Sequence, residues 1–397
     1  MAKIVVRVLL ALALVVAIIV AIVSVLRMIP SKQRYPVARS DQQVSVSGEA
    51  VREVPDNVAR NVIFIIADGM GPSYIEAARL TSVGENGLLE MQKLPVRGMV
   101  TTRSADSIVT DSAAAATALA TGVKTNNRMV AVDPEGKPLR TIVEAAEAAG
   151  FVTALVTTTD VSDATPAAFG THARSRDDRG AIAAQLVRSD IDILMGSNVK
   201  HFVPVSQWGG RRKDGVDLLA AAAASGSTVV RNLGELRGAA SLPLIGIFDE
   251  NERPPLADLA LDSLRLLEQT EQRFFLLLES EETDSATHDN DLGRTLSAVR
   301  EVDQAVKVAV EWARNDGATI VVVTADHDTG GMQFIPSDSP KLIQVLWPTT
   351  HHTAQDVRLY AFGPGAEALG GFLDNTDIAP ILVRLLGIGS EFAVKGP

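Results

Sequence analysis

Six short runs rich in Val, Ile, Leu or Phe recur along the chain, at residues 62–66, 152–156, 191–194, 274–278, 319–323 and 359–362. Their near-continuous apolar character predicts strands buried on both faces. Between and after them the pattern predicts helices over 141–149, 179–187, 256–269, 292–314 and 378–386. Strands that alternate with helices imply crossover connections. The expected fold is therefore α/β, with a mostly parallel central sheet flanked by helices on both faces. Residues 195–255 interrupt the rhythm with Gly209-Gly210 and an alanine-rich stretch, and read as an insertion within one domain over 61–390.

In open α/β sheets, ligands bind outside the carboxyl ends of the strands. The residues that follow each apolar run therefore matter most. Ala67-Asp68-Gly69 follows the first, and Thr157 to Thr159, then Asp163 and Thr165, follow the second. Glu279, then Asp284 and His288, follow the fourth, and Thr324-Ala325-Asp326-His327 follows the fifth. Converging carboxylates repel one another unless cations neutralise them. The chain has no cysteine and six histidines, so a transition metal must be held by histidine and carboxylate, and disulfides and thiolate chemistry are excluded. A net charge of −11 argues against a nucleic-acid binder, which needs a basic surface. With 46% hydrophobic and 21% charged residues, a disordered chain is also excluded.

Each motif has an ordinary alternative. Asp68-Gly69-Met70-Gly71 suits a bridging carboxylate with close backbone approach, or a capped strand-to-helix turn. Thr110-Asp111-Ser112 opens an alanine-rich helix, where a phosphate would meet free N–H groups, or where Ser or Asp simply caps. Asp284 and His288 share a helix face four residues apart, or sit in a solvated acidic loop. One of His351 and His352 could complete a ligand set, while His172 and His201 lack such a context and read as structural. Thr165 offers a hydroxyl to a hard cation, and an arginine downstream could grip phosphate with two N–H groups. Each alternative holds alone; their joint occurrence in this order is harder to explain without a site.

Residues 8–26 are apolar except for Ser24. As a helix they would span about 28 Å, close to a bilayer core. That predicts an uncleaved transmembrane signal anchor over 1–27, followed by a polar linker over 28–60 with Pro30, Pro36 and Pro55. Basic residues flank the segment almost equally, so orientation is not set by charge.

The motif set resembles the alkaline phosphatase family, specifically its bacterial members. The motifs that carry it are Asp68-Gly69-Met70-Gly71, Thr110-Asp111-Ser112-Ala113-Ala114, Asp163-Ala164-Thr165-Pro166-Ala167, Glu279 with Asp284 and His288, Thr324-Ala325-Asp326-His327, and His352-Thr353. They run in family order from about Asn61 to about Ile388. The resemblance implies an alkaline-phosphatase-like catalytic domain that hydrolyses phosphate monoesters through a phosphoserine on Ser112. It implies two Zn²⁺ and one Mg²⁺. Asp284, His288 and His352 would hold one zinc, and Asp68, Asp326 and His327 the other. Asp68, Thr165 and Glu279 would hold magnesium, with Asp163 organising that site through water. Arg176 would clamp phosphate. Family habit would put the domain in the periplasm, on a single-pass membrane anchor, with small phosphate monoesters as partners and no nucleic acid; the resemblance also allows a homodimer. Ser285 departs from the lysine, histidine or tryptophan that family members carry after the aspartate, and removes a positive charge from beside the phosphate where they carry lysine. The rivals are a phosphodiesterase of the same superfamily and a membrane-tethered phosphate- or metal-binding protein without turnover.

Overall fold

The computed structural model describes residue 16 and residues 32–36, 59–249 and 253–392. Ten strands form one sheet in the spatial order Gly371–Asp374, Val96–Thr101, Val357–Phe362, Thr319–Thr324, Asn61–Ala67, Phe274–Ser280, Val152–Asp160, Ile193–Ser197, Leu244–Phe248, Thr228–Val230. Only Val357–Phe362 pairs antiparallel with its neighbours. Every other pairing in the sheet is parallel. The three central strands are buried at every position, as continuous apolar runs require.

Helices flank this sheet in two packed groups. Leu292–Asp316 packs against Leu256–Glu268 and Pro72–Ser82, and Ser112–Thr121 packs against Ala164–Gly170 and Ile378–Leu386. Leu292–Asp316 shows why the sequence folds locally as it does. Leu292, Leu296, Val299, Val302, Val306 and Val310 recur at helical spacing and are buried. The Asp291 side chain caps its start by accepting from the Arg294 N–H. Gly317, at φ 73°, ends it in the left-handed region.

Register sets the site. Ile66 lies opposite both Glu279 and Thr324, and Thr157 lies opposite Glu279. The carboxyl ends of four neighbouring strands therefore finish in one row, and the acids that follow them converge.

All six predicted strands are present. The second runs on to Asp160, because Thr157 to Thr159 are β-branched as well as polar. Residues 195–255 contribute Thr228–Val230 and Leu244–Phe248 to the edge of the same sheet. Two strands at one end of the sheet carry no apolar run: Arg97 and Gly98 interrupt Val96–Thr101, the second strand in, and the edge strand Gly371–Asp374 is half exposed.

The N-terminal readings need correction. The predicted anchor over 1–27 lies outside the described residues except for Val16. Within the stretch read as a linker, Lys32–Pro36 is a strand that pairs antiparallel with Leu342–Leu346. Among the described residues no helix is long and apolar enough to cross a membrane. Leu292–Asp316 has the length, at 25 residues, but carries Arg294, Arg300, Glu301, Lys307, Glu311 and Arg314. The single-pass, membrane-anchored and extracytoplasmic placement is therefore not sustained.

Candidate active site

Asp68 follows the central strand directly. Its backbone N–H donates to the Ser280 carbonyl at 2.9 Å, which fixes where the side chain leaves the sheet. Gly69 then turns at φ +70°; a Cβ there would stand 2.6 Å from Asp284 Oδ1 and 2.8 Å from Asp284 Cα. At Gly71 a Cβ would strike Asp328 Oδ1 at 1.7 Å. Gly69 is thus required for the turn after Asp68 to approach Asp284, and Gly71 for it to approach Asp328.

One group of side chains gathers around His327, which is fully buried. Its Nε2 lies 3.2 Å from Ser112 Oγ, 3.3 Å from Asp326 Oδ2 and 3.5 Å from Asp68 Oδ1. Asp326 Oδ1 is already engaged by the Gly69 and His327 N–H groups, at 3.1 and 2.9 Å. That leaves Oδ2 facing the group.

A second group gathers around Asp284. On the helix Glu282–His288, His288 Nε2 lies 3.1 Å from Asp284 Oδ2. His352 Nε2 lies 3.7 Å from Asp284 Oδ1. Both imidazoles are oriented from behind. His288 Nδ1 meets the Thr350 carbonyl at 2.6 Å, and His352 Nδ1 meets the Thr110 carbonyl at 3.0 Å. A carbonyl can only accept, so each Nδ1 carries the proton and each Nε2 is free to ligate. A two-stranded ladder, Asp328–Thr329 with His352–Thr353, sets His352 opposite Thr329. The His327 and His352 rings consequently stack, with centroids 3.7 Å apart.

Two sets of ligand atoms lie within 4.8 Å of one another: Asp68, Asp326 and His327, and Asp284, His327 and His352. The first is the set expected for one zinc. The second takes His327 where the resemblance implies His288, although His288 also touches Asp284.

The third expected set combines two carboxylates, Asp68 and Glu279, with the Thr165 hydroxyl. Glu279 ends the strand Phe274–Ser280 and is buried, and its carboxylate accepts a close hydrogen bond from Thr157 Oγ1. Thr165, in the helix Ala164–Gly170, is buried with no partner for its hydroxyl. Asp163 caps that helix, accepting from the Ala164 N–H at 2.7 Å.

Ser112 is the first residue of the helix Ser112–Thr121. Asp111 caps the helix through Oδ1, which accepts from the Ala114 N–H at 3.0 Å. Its Oδ2 accepts from Arg176 Nη1 at 3.1 Å, while Arg176 Nη2 donates to Asp163 Oδ1 at 3.0 Å. Arg179 Nη2 reaches the same Asp163 oxygen at 2.7 Å. The Arg176 fork is therefore held from two sides beside the helix start.

The electrostatics match a cluster short of positive charge. Burial, then Asp326, Asp284 and Glu279, raise the Asp68 carboxyl well above its usual range. Burial raises Glu279 likewise, despite the bond from Thr157. Burial pushes Asp326 up to about 6 and His327 down to about 4. His352 falls to about 4 through burial and the neighbouring His327. His288 rises to about 9 through its bond to Asp284.

Three site residues have roles that the motifs did not assign. Thr157 holds Glu279, Asp111 holds Arg176, and Thr329 Oγ1 donates to Asp284 Oδ1 at 2.5 Å. Asp111 stood beside Ser112 in a motif, and Thr157 followed a strand, so a signal existed for both. His172 and His201 sit outside the cluster: His172 pairs with Glu144 at 2.9 Å, and His201 Nε2 lies 3.8 Å from Asp160.

The family model described as "Alkaline phosphatase" matches residues 59–346. Among curated proteins, the chain is 30% identical to alkaline phosphatase 4 of Bacillus subtilis over 423 residues, covering 83% of this chain and 89% of that one. It is 30% identical over 410 residues to the alkaline phosphatase of Escherichia coli, covering 84% and 87%. Among solved structures, it is similar to a variant of the alkaline phosphatase from the Antarctic bacterium TAB5 with Mg bound in the M3 site. The TM-score is 0.74 and the identity 27%, over 83% of this chain and 98% of that one.

Proposed function

The chain belongs to the alkaline phosphatase family and hydrolyses phosphate monoesters, and on that premise we propose which of its residues act and with which ions. Ser112 is the nucleophile. Asp68, Asp326 and His327 hold one Zn²⁺. Asp284, His352 and His288 hold the other. Asp68, Thr165 and Glu279 hold Mg²⁺, in keeping with the Mg-bearing M3 site of the TAB5 relative.

The fit of these groups to cations rests on unpartnered atoms. Asp68 Oδ1, Asp326 Oδ2 and Thr165 Oγ1 are buried without a hydrogen-bond partner. A buried polar atom left so is costly unless something binds it. The donors are imidazole, carboxylate and hydroxyl, which suit zinc on the histidine side and magnesium on the all-oxygen side. When bound, the cations supply Lewis acidity that stabilises alkoxide charge on the attacking and leaving oxygens.

Ser112 Oγ forms a bond to phosphorus, the ester O–P bond breaks, and the alcohol leaves. Water then attacks the phosphoserine, releasing inorganic phosphate and restoring the hydroxyl. The N-terminus of Ser112–Thr121 directs N–H groups at the transferring phosphoryl. Arg176, already fixed by Asp111 and Asp163, offers its remaining N–H groups to two phosphoryl oxygens without having to be ordered first.

The single observation that carries this reading is Ser112 Oγ, at a helix start, 3.2 Å from a buried His327 Nε2 that also faces two carboxylates. The test is hydrolysis of p-nitrophenyl phosphate at alkaline pH with zinc and magnesium, with chelator, and as Ser112→Ala. Activity should vanish with chelator and with Ser112→Ala, and return with metal in the parent chain only. Full turnover by Ser112→Ala would exclude the serine route.

A further inference from the structure

Away from Ser112, the strands Ile193–Ser197 and Leu244–Phe248 run side by side and end together, Ser197 opposite Phe248. Beyond their ends lies a cavity of about 600 Å³ whose walls include Lys200, Trp208, Arg211, Arg231, Phe248 and Asp249. None of the proposed catalytic or metal-ligating residues lines it. Its size falls within the ~300–1,000 Å³ of small-molecule sites.

Three features of the wall point to a ligand class. Among the described lining residues, Lys200, Arg211 and Arg231 outnumber one carboxylate, Asp249, on a chain of net charge −11. Among the described residues neither the Arg211 nor the Arg231 guanidinium makes a hydrogen bond or an ion pair within 4 Å, although Arg231 lies close enough to Asp217 to favour its ionised form. Most arginines near this part of the fold are paired, as Arg212 is with Asp214 and Arg179 with Asp163. Trp208 is 87% exposed, whereas Trp347 is 1% exposed and Trp312 packs on the core. An exposed indole that shares a cavity wall with two guanidiniums is a good platform for a flat anionic ligand. Indole and guanidinium planes both stack on flat rings, and guanidinium forks grip carboxylate or phosphate with two N–H groups. Ile247 and Phe248 supply an apolar floor.

We infer that this cavity is a second binding site, separate from the hydrolytic one, for an aromatic anion of nucleoside-phosphate size. The ring lies on Trp208, and the anionic group lies between Arg211 and Arg231.

The chain carries its own reporter, since Trp208 is the exposed member of three tryptophans. The full metal-loaded chain carrying Ser112→Ala, which prevents turnover, is excited at a wavelength absorbed by indole but not adenine, and titrated with AMP, adenosine and inorganic phosphate. AMP should give a saturable loss of emission that Trp208→Ala abolishes. Arg211→Gln and Arg231→Gln should each raise the AMP Kd by about tenfold or more, as loss of a charge-assisted bond does. Adenosine and phosphate, each lacking half of the recognised pair, should bind at least about tenfold more weakly. Isothermal titration of the same variants checks that the emission change is binding. No saturable response to AMP at millimolar concentration, an AMP Kd unchanged in both arginine variants, or adenosine binding as tightly as AMP would each overturn the inference. The emission comes from Trp208, outside the proposed phosphatase site, and any residual AMP turnover by Ser112→Ala would show separately as released phosphate, so failure of the phosphatase reading is distinguishable from failure of this one.

Discussion

Replacing Thr329 by valine tests whether the two candidate zinc sites are oriented by one hydroxyl. Thr329 Oγ1 donates its proton to Asp284 Oδ1 at 2.5 Å, so towards His327 Nδ1, at 3.2 Å, it can only accept. That places the His327 proton on Nδ1 and leaves the Nε2 lone pair facing Ser112, Asp68 and Asp326. Valine keeps the shape and removes both bonds. In the metal-free chain, the lost bond to an ionised carboxylate costs about 1.5–3 kcal/mol of stability. In addition, His327 becomes able to carry its proton on Nε2, the atom that ligation needs. Zinc affinity should then fall by about 10–100-fold, the usual effect of removing a partner of a metal ligand. Urea denaturation of the chelated protein reads the first quantity, and competition with a chromophoric chelator reads the second. Hydrolysis should recover largely at saturating zinc. Thr329→Ser retains the hydroxyl and should stay within about threefold of the parent in zinc affinity. A Thr329→Val chain that binds zinc as tightly as the parent, or a Thr329→Ser chain as weak as Thr329→Val, would refute the tautomer argument.

Zinc binding should release protons near neutral pH. In the metal-free chain, the bond to Asp284 raises His288 to about 9, above its unfolded value of 6.5, and ligation needs the neutral ring. This pairing therefore stabilises the metal-free fold fully below about pH 6.5, loses its effect as pH rises through about 9, and competes with zinc over that interval. Zinc affinity should climb between those values, and a flat profile by titration calorimetry would count against it. Gly69→Ala should lower both the melting temperature and zinc affinity, because the left-handed φ of +70° alone costs about 1–2 kcal/mol and the new Cβ would meet Asp284 Oδ1 at 2.6 Å; a chain with unchanged melting and zinc uptake would contradict the close approach. Ser285→Lys should strengthen inhibition by product phosphate, since Ser285 now donates to Glu281 at 2.5 Å and a lysine there would add a cation; an unchanged inhibition constant and pH profile would dismiss the idea.

The central strands were legible because burial on both faces leaves a plain apolar signature. Residues 62–66 and 319–323 differ from the observed strands by one residue at the boundaries that moved. The last two strands at one end of the sheet were not, because the half-solvated edge strand tolerates Gly371 and its partly buried neighbour tolerates Arg97 and Gly98. The same contrast runs through the site. Asp68, Glu279 and Asp326 could be anticipated because chain direction alone carries whatever follows a parallel strand to one edge of the sheet. Arg176, Thr165 and His352 lie off the strand ends and were singled out together by motif order. Thr157 was marked by its place after a strand but given no role, and Thr329 fell outside both kinds of reasoning. Each acts through one hydroxyl on a carboxylate 45 or 122 residues away, and threonine beside a strand is most often there for its β-branch. The apolar run over 8–26 is read as an anchor from hydropathy and length alone; it lies outside the described residues except for Val16, and among the described residues no helix is long and apolar enough to cross a membrane. Residues that must supply charge or ligation are constrained in type, and so leave a trace in the sequence. Residues that only aim them are constrained in position, and position is what folding adds.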